Sequence, residues 1–414
     1  MNLDLIRFID KWVGVPACFL LSLICKFRNA FKAESRPSPG SGGRPGKVLF
    51  IELSEMGSAI LAYPAMRYVL NRSPDAHLYF LTFTPNRFSV EVLNVISPNH
   101  IITIDINDLL GFMRSTLKAL QRIRREGIDI VFDLELFSRF SALLSGLSGA
   151  SVRVGYGKYH EEGLYRGGLM THKVLYNCHQ HMAKNFMALV KAADRGGEYP
   201  LVKVLVTETE MVRPAYQASP AALDGLRSRL AAMRPAVVTA SRLVLLNPSA
   251  GRLLPIRAWP IANYVELAQR VIERFDAAVV LIGLADARRE ASVICTRLNS
   301  DRCLDFTGQT SFVDLMNLFT LADVLVTADS GPAHFASLTS VKRFVLFGPE
   351  TPVLYRPFGI ATKCFFAGLS CSPCLSAYNH RKSSCKDARC MEAITVDEVF
   401  QALSADLVAS GSAK

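Results

Sequence analysis

The sequence predicts an α/β protein made of two Rossmann-like units in tandem, behind a short apolar N-terminal segment. Three observations predict it. Apolar runs of strand length recur along the chain, each leading into a polar, glycine-bearing turn and then a helix-like pattern. This alternation implies parallel strands joined by crossover helices. The series starts afresh just past the middle of the 414 residues, a length that at roughly 150 residues per domain suits two domains or three. Half of the side chains are hydrophobic and 20% are charged, enough apolar surface for real cores, so a mainly disordered chain is excluded. The 26 glycines and 20 prolines follow no period, and ten cysteines are too sparse for a disulfide scaffold.

The element series begins after residue 46. KVLFIEL (47–53) is a continuous apolar run, as expected of a strand buried on both faces. A loop with Gly57 at its tightest point leads to a helix over 59–70. LYFLTF (78–83), HIITID (100–105) and IDIVFDL (128–134) are further strands, with a helix over 107–126 between the last two. The first unit ends near residue 205, and 207–240 read as one or two connecting helices. RLVLLNPSAG (242–251) opens the second series. A helix over 261–275, a strand over 277–283, helices over 286–298 and 312–322, and a strand over 323–331 follow. RFVLFGP (343–349) reads as the last strand and 395–405 as the final helix. The expected domains are 47–240 and 241–405, with a tail over 406–414.

Lys and Arg number 47 against 36 Asp and Glu, a net +11. Residues 1–47 hold eight of these cations and three acids (Asp4, Asp10, Glu34), so +5 of the total sits there. No basic stripe interleaved with aromatics is present, so nucleic acid is not an expected partner. A positive cleft for an anionic small molecule or lipid fits better.

Between Lys11 and Lys26 lie fourteen residues without a charge, WVGVPACFLLSLIC. A helix needs about 20 apolar residues to span a bilayer. No small-x-small cleavage site follows. Lys26, Arg28 and Lys32 do, and Trp12 stands at the other end. The pattern suits an interfacial anchor on an anionic leaflet, with a helix packed on the protein's own surface or a true span as alternatives. Residues 1–34 are therefore expected as a membrane-associated helix and 35–46 (SRPSPGSGGRPG) as a flexible linker.

Ligands of such sheets bind outside the carboxyl ends of the strands. Four clusters stand there: Glu52 to Ser58; Asn247-Pro248-Ser249-Ala250-Gly251 with Arg257 and Trp259-Pro260; Gly283 with Asp286 and Glu290; and Asp329-Ser330-Gly331-Pro332-Ala333-His334. Small polar residues before a helix start present N–H groups to phosphate, and Arg257 adds a bidentate cation. Each cluster also has a plain alternative as an N-cap, a turn or a structural histidine. Neither a Walker-A lysine motif nor G-x-G-x-x-G after the first strand of either unit is present.

LLNPSAG (245–251), R-A-W-P (257–260), DSGPAHFAS (329–337) and VLFGPETP (345–352) resemble the family 9 glycosyltransferases, the heptosyltransferases of lipopolysaccharide core assembly. VLFIELSEMGSAILAYPAMR (48–67) and the segment 128–156 resemble the family's first domain. The resemblance covers about residues 47–405. It implies a GT-B fold, two Rossmann-like domains facing across a cleft. The donor would be an ADP-heptose-like nucleotide sugar and the acceptor a lipid-linked saccharide, with no metal or redox cofactor. The place of action would be the inner face of the cytoplasmic membrane.

Donor contacts then fall to Asn247, Ser249, Arg257, Asp329, Ser330, Gly331 and His334, with Asp286 and Glu290 for the ribose. The acceptor falls to Gly57, Arg139, Arg153 and Lys158. Where the family's first loop ends in Gly-Asp, with the Asp as general base, this chain has Gly57-Ser58. Inverting transfer needs a carboxylate to take the acceptor proton. Glu55 is the expected substitute and Glu52 the alternative. A nucleotide-sugar-binding paralogue without turnover is the second reading that Ser58 raises. Finally, Cys371, Cys374, Cys385 and Cys390 are spaced either as free thiols closing a loop or as ligands of a structural zinc.

Overall fold

The structure is a computed structural model and describes residues 3–30, 46–136, 138–157, 165–194, 201–251, 254–379 and 381–411. Residues 35–45 of the linker predicted over 35–46, and Lys158, lie outside them. The chain divides into two compact units, Met1–Pro214 and Ala215–Lys414.

The first unit opens with α1 (Leu3–Trp12) and α2 (Gly14–Ala30), two helices broken at Val13 where one was expected. Then follow β1 (Lys47–Ile51), α3 (Met56–Leu61), α4 (Tyr63–Arg72), β2 (His77–Phe83), α5 (Arg87–Glu91), β3 (Ile101–Ile104) and α6 (Leu109–Glu126). β4 (Ile130–Asp133), α7 (Arg139–Leu147), β5 (Val152–Tyr156), β6 (His172–Val174) and α8 (Met182–Ala192) complete it. The six strands pair in the order β3-β2-β1-β4-β5-β6, all parallel. Leu49, Phe50 and Ile51 are fully buried, which is why β1 reads as an unbroken apolar run. Asp108 caps α6 by accepting the Gly111 N–H, and Gly127 ends it in the left-handed region at φ 67°.

The second unit comprises α9 (Pro220–Met233), α10 (Pro235–Thr239), β7 (Arg242–Asn247), α11 (Ile261–Arg274), β8 (Ala277–Leu281), α12 (Arg288–Leu298), β9 (Cys303–Asp305) and α13 (Phe312–Leu321). It continues through β10 (Val324–Ala328), α14 (Gly331–Ala336), β11 (Lys342–Phe347), α15 (Pro352–Tyr355), β12 (Thr362–Phe366), α16 (Arg389–Glu392) and α17 (Val396–Gly411). Its parallel sheet runs β12-β11-β10-β7-β8-β9. In both sheets the order reverses between the first and fourth strand, so the crevices of such folds lie beyond β1/β4 and β7/β10.

Three expectations change. β11 is not the last strand: β12 pairs beside it, an edge strand whose TKCFF is only partly buried. α9 groups with the second unit, because Leu226 and Leu230 are buried and Arg229 bridges Asp314 on α13 at 3.1 Å. Residues 406–411 are helix rather than tail, since Leu407 is buried in the core and Asp406 pairs with Lys342 and Lys363. The same core buries Trp259, whose indole N–H donates to the Ile394 carbonyl at 2.9 Å.

Candidate active site

In the first unit the loop after β1 is held from β4. The Glu135 carboxylate accepts the backbone N–H of Leu53 at 2.8 Å and of Ser54 at 3.1 Å, and the Ser54 hydroxyl at 3.2 Å, all on one oxygen. Leu53's carbonyl is taken by the Asn86 side chain at 2.7 Å. Glu52 is buried, and its carboxylate accepts the Glu55 N–H at 3.2 Å. Ser58, also buried, donates its hydroxyl to Glu55 Oε2 at 2.8 Å. Gly57, expected at the tightest point of a turn, is instead the second residue of α3, which starts directly after Glu55. Glu52, Glu55, Ser58 and Glu135 are thus gathered at one strand-end position.

Sequence reasoning missed Glu135. Its carboxyl is pushed up to about 7, first by burial, with Glu55 and Asp133 adding repulsion and the Leu53 and Ser54 donors opposing it. Beneath it Asp133 is fully buried against Arg166, which also donates to the carbonyls of Ser138, Glu135 and Tyr156. Burial raises the Asp133 carboxyl, and the Arg166 guanidinium opposes that.

Neither described acceptor arginine stands open to solvent in the expected way. Arg139 is 2% exposed; its guanidinium meets Asp10 of α1 at 3.3 Å and the Tyr165 carbonyl at 3.0 Å. Arg153 donates to the carbonyls of Leu169 and Ala150 at 2.7 and 2.5 Å. Both cations hold the first unit together.

In the second unit Asn247 is buried at the end of β7. Its amide donates to Thr327 Oγ1 at 3.0 Å, and its carbonyl accepts the Tyr264 hydroxyl at 3.0 Å, so β7, β10 and α11 are tied together at this end. Thr327 also meets the Ser330 hydroxyl at 3.1 Å, which turns back to the Ala328 carbonyl at 3.0 Å. Ser330 therefore occupies the N-cap position of α14 without capping it. Arg257 Nη1 pairs with Asp329 at 3.3 Å, while its Nε is buried without a partner. Glu290 Oε2 is likewise buried and unpartnered. Buried polar atoms left unsatisfied call for an explanation such as a ligand. A Cβ at Gly331 would meet nothing within 4 Å, so there is room at the start of α14. Ser249 accepts the Gly251 N–H at 3.0 Å, with Gly251 at φ 72° where a side chain would be strained. His334 is buried on α14, and Asp286 is exposed before α12.

The four C-terminal cysteines lie near enough for the other three to act on Cys390, whose thiol is raised by burial first and then by their charges, but they do not form a metal-holding group. They are free thiols: Cys371 is exposed, Cys374 meets Ser383 Oγ at 3.4 Å, Cys385 meets Asp387 at 3.4 Å, and Cys390 is buried beside Gly348. Among the described residues no three His, Cys, Asp or Glu side chains are grouped to hold a metal ion.

The profile of glycosyltransferase family 9 (heptosyltransferase) matches residues 116–384, well over half of the chain. Lipopolysaccharide heptosyltransferase 3 of Escherichia coli is 21% identical over 327 residues, which cover 75% of this chain and 86% of that protein. The structure of E. coli ADP-heptose lps heptosyltransferase II superposes with a TM-score of 0.68 at 20% identity, covering 88% of this chain and 99% of that one. E. coli heptosyltransferase WaaC, solved with ADP, superposes with a TM-score of 0.61 at 14% identity, covering 87% and 99%. The two parallel-sheet α/β units have the fold of these GT-B heptosyltransferases. The chain belongs to glycosyltransferase family 9, and is a glycosyltransferase.

Proposed function

We propose that this protein transfers a heptose-type sugar from an ADP-linked donor to a lipopolysaccharide-core or similar lipid-linked acceptor at the inner face of the cytoplasmic membrane, with inversion. The observation that carries the donor half is Arg257, half-buried after β7, with its Nε buried and unpartnered and Asp329 on Nη1. A diphosphate oxygen satisfies that nitrogen with a charge-assisted bond. Asn247, Ser249, Ser330, Gly331 and His334 complete the donor contacts, and Glu290, with Asp286 nearby, takes the ribose hydroxyls.

The acceptor is held by the first unit, beside Gly57, and Glu55 is the general base. Ser58 stands where the family resemblance leads one to expect the acid, and it hydrogen-bonds Glu55 Oε2, so the carboxylate is supplied from three residues earlier. Glu55 takes the proton of the acceptor hydroxyl as that oxygen bonds C1 of the sugar; the C1–O bond to phosphate breaks and the nucleoside diphosphate leaves with the electron pair. Glu135 positions the loop and sets the local charge. Glu52, buried beneath the loop, is the alternative base. No metal takes part in this scheme. The apolar N-terminal helices bring the enzyme to the membrane that carries its acceptor.

The test is a transfer assay with crude membranes against a panel of nucleotide sugars, read by mass spectrometry of the glycolipid. A heptose-sized increment from the ADP-linked donor supports the reading. ADP-sugar binding with no product from any donor supports an inactive binding paralogue instead.

A further inference from the structure

We propose that the first unit carries a composite surface that seats on an anionic bilayer, formed by the outer faces of α1 and α2 together with the outer face of α6. The proposal rests on the membrane reading above and extends it from one helix to a surface on the folded domain.

The inner face of α2 is spoken for. Gly14, Cys18, Leu21 and Ser22 lie against α7 and the 167–170 segment at backbone distance: a Cβ on Gly14 would sit 2.7 Å from the Arg139 Cβ, and one on Gly167 would sit 2.7 Å from the Cys18 carbonyl oxygen. Polar ties hold both ends. Asp10 accepts from the N–H groups of Arg139 and Phe140 at 2.9 and 3.0 Å, and Ser22 Oγ accepts the Gly168 N–H at 2.7 Å. The opposite face is a run of exposed apolar side chains, Phe8, Trp12, Phe19, Leu20, Ile24 and Phe27, with Lys11 and Lys26 at its ends. The stretch Phe8–Phe27 has the length and hydropathy to cross a membrane. Crossing, however, would strip Asp10 from Arg139 and carry an aspartate to the bilayer's edge without its partner. Lying flat keeps these contacts and still buries the apolar face.

α6 supplies the second part. Its inner side chains Ala119 and Ile123 are buried in the core. Outward it exposes Leu110, Met113 and Leu117, spaced at three and four residues, and Leu110 is 75% exposed. Arg114, Lys118 and Arg125 share the exposed side. An apolar stripe flanked by cations is the pattern of helices that bed into an anionic leaflet. The two parts adjoin. The rings of Phe112 on α6 and Phe140 on α7 are 5.1 Å apart, and Phe140 is the residue whose N–H Asp10 holds. The first turn of α6 and the last turn of α1 therefore both reach the start of α7. A second copy of the chain suits this face less well, because a two-fold contact would oppose cations to cations.

The experiment is co-sedimentation of the full-length protein with phosphatidylcholine vesicles, with and without phosphatidylglycerol. Wild type binds the anionic vesicles and binds the zwitterionic ones less. The triple variant Leu110→Ser, Met113→Ser, Leu117→Ser, with α1 and α2 intact, binds roughly tenfold or more weakly, as expected for losing three interfacial apolar side chains. Arg114→Glu with Lys118→Glu removes the preference for anionic lipid. Wild-type binding by the triple variant, or equal binding to both vesicle types, overturns the proposal. So does a dimer in sedimentation velocity that the triple variant abolishes while vesicle binding is unchanged. Sugar transfer to a detergent-dispersed acceptor is measured alongside. Predicted vesicle binding without transfer counts against the functional reading alone, and transfer with unaltered vesicle binding by the triple variant counts against the surface alone.

Discussion

Asp10 and Arg139, 129 residues apart, meet at the N-terminus of α7: one carboxylate oxygen accepts from the backbone N–H groups of Arg139 and Phe140, and the other lies 3.3 Å from the Arg139 guanidinium. Asp10 thereby satisfies two donors that a helix start leaves open, beside the Ser138 cap, and places a negative charge at the positive end of the helix. α7 begins four residues after Glu135, so the N-terminal helices are fastened close to the proposed acceptor site.

Asp10→Ala should loosen these helices. Removing a charged acceptor from a largely buried arginine and two N–H groups costs about 1.5–3 kcal/mol. Hydrogen exchange should quicken across residues 8–27 and at the amides of Arg139 and Phe140, while the sheet stays protected. Unchanged exchange would show that packing around Cys18 suffices.

Arg166→Met leaves Asp133 fully buried without its cation. Breaking such a pair from one side costs about 3–5 kcal/mol. Urea unfolding of the first unit should shift by that order. The paired change Asp133→Leu, Arg166→Met should recover part of the loss, because no buried charge then remains.

The Glu135 carboxyl, raised by burial to about 7 from 4.5, predicts two pH effects of defined sign. The folded state holds this proton more tightly than the unfolded one, so the stability it contributes is present at low pH and lost as pH rises from about 4.5 through 7. Glu135→Gln keeps an acceptor for the Leu53 and Ser54 N–H groups and should flatten that decline in melting temperature. Ionised Glu135 also places a second negative charge beside the reaction centre, where positive charge develops on the sugar. Wild-type kcat should therefore climb as pH passes through about 7, and this limb should vanish in Glu135→Gln. A limb that persists in the variant assigns it to another group.

For the base itself, Glu55→Gln should lower kcat by roughly 10²- to 10⁴-fold, the usual worth of a positioned general base, with donor affinity intact. Full activity in that variant moves the role to Glu52.

Arg257→Ala should weaken binding of an ADP-sugar by about ten- to a hundredfold, the equivalent of a charge-assisted bond of roughly 1.5–3 kcal/mol. Calorimetric titration reads this directly, and unchanged affinity removes Arg257 from the donor site.

The central strands were legible because burial on both faces forces apolar runs, as in Leu49–Ile51 and Val324–Ala328. β5, β6 (His172–Val174), β9 (Cys303–Asp305) and β12 were not: the last three are edge strands fixed by pairing with a neighbour, two of them only three residues long, and in β5 Arg153 and Gly155 break the apolar run. The polar cluster proposed for the donor could be picked out as a group because most of its residues sit on short consecutive motifs at the ends of β7 and β10. Arg139 and Arg153 read as acceptor-binding cations because their partners, Asp10 and the Leu169 carbonyl, come from distant segments. Glu135 carried no local signal. It looks like any acid after a strand until β4 pairs beside β1 and brings it under the 53–54 backbone.

Whether the protein transfers a sugar is decided by acceptor-dependent release of ADP from the purified, full-length protein. ADP-heptose is supplied with vesicles bearing a core-truncated lipid acceptor, and each free nucleotide is matched to a glycosylated lipid. Steady turnover is expected, dependent on the acceptor and strongly reduced by Glu55→Gln. ADP-heptose binding that is intact, saturable and weakened by Arg257→Ala, with no turnover at any acceptor concentration, would contradict this expectation: Ser58 would then mark a protein that binds a nucleotide sugar without transferring it.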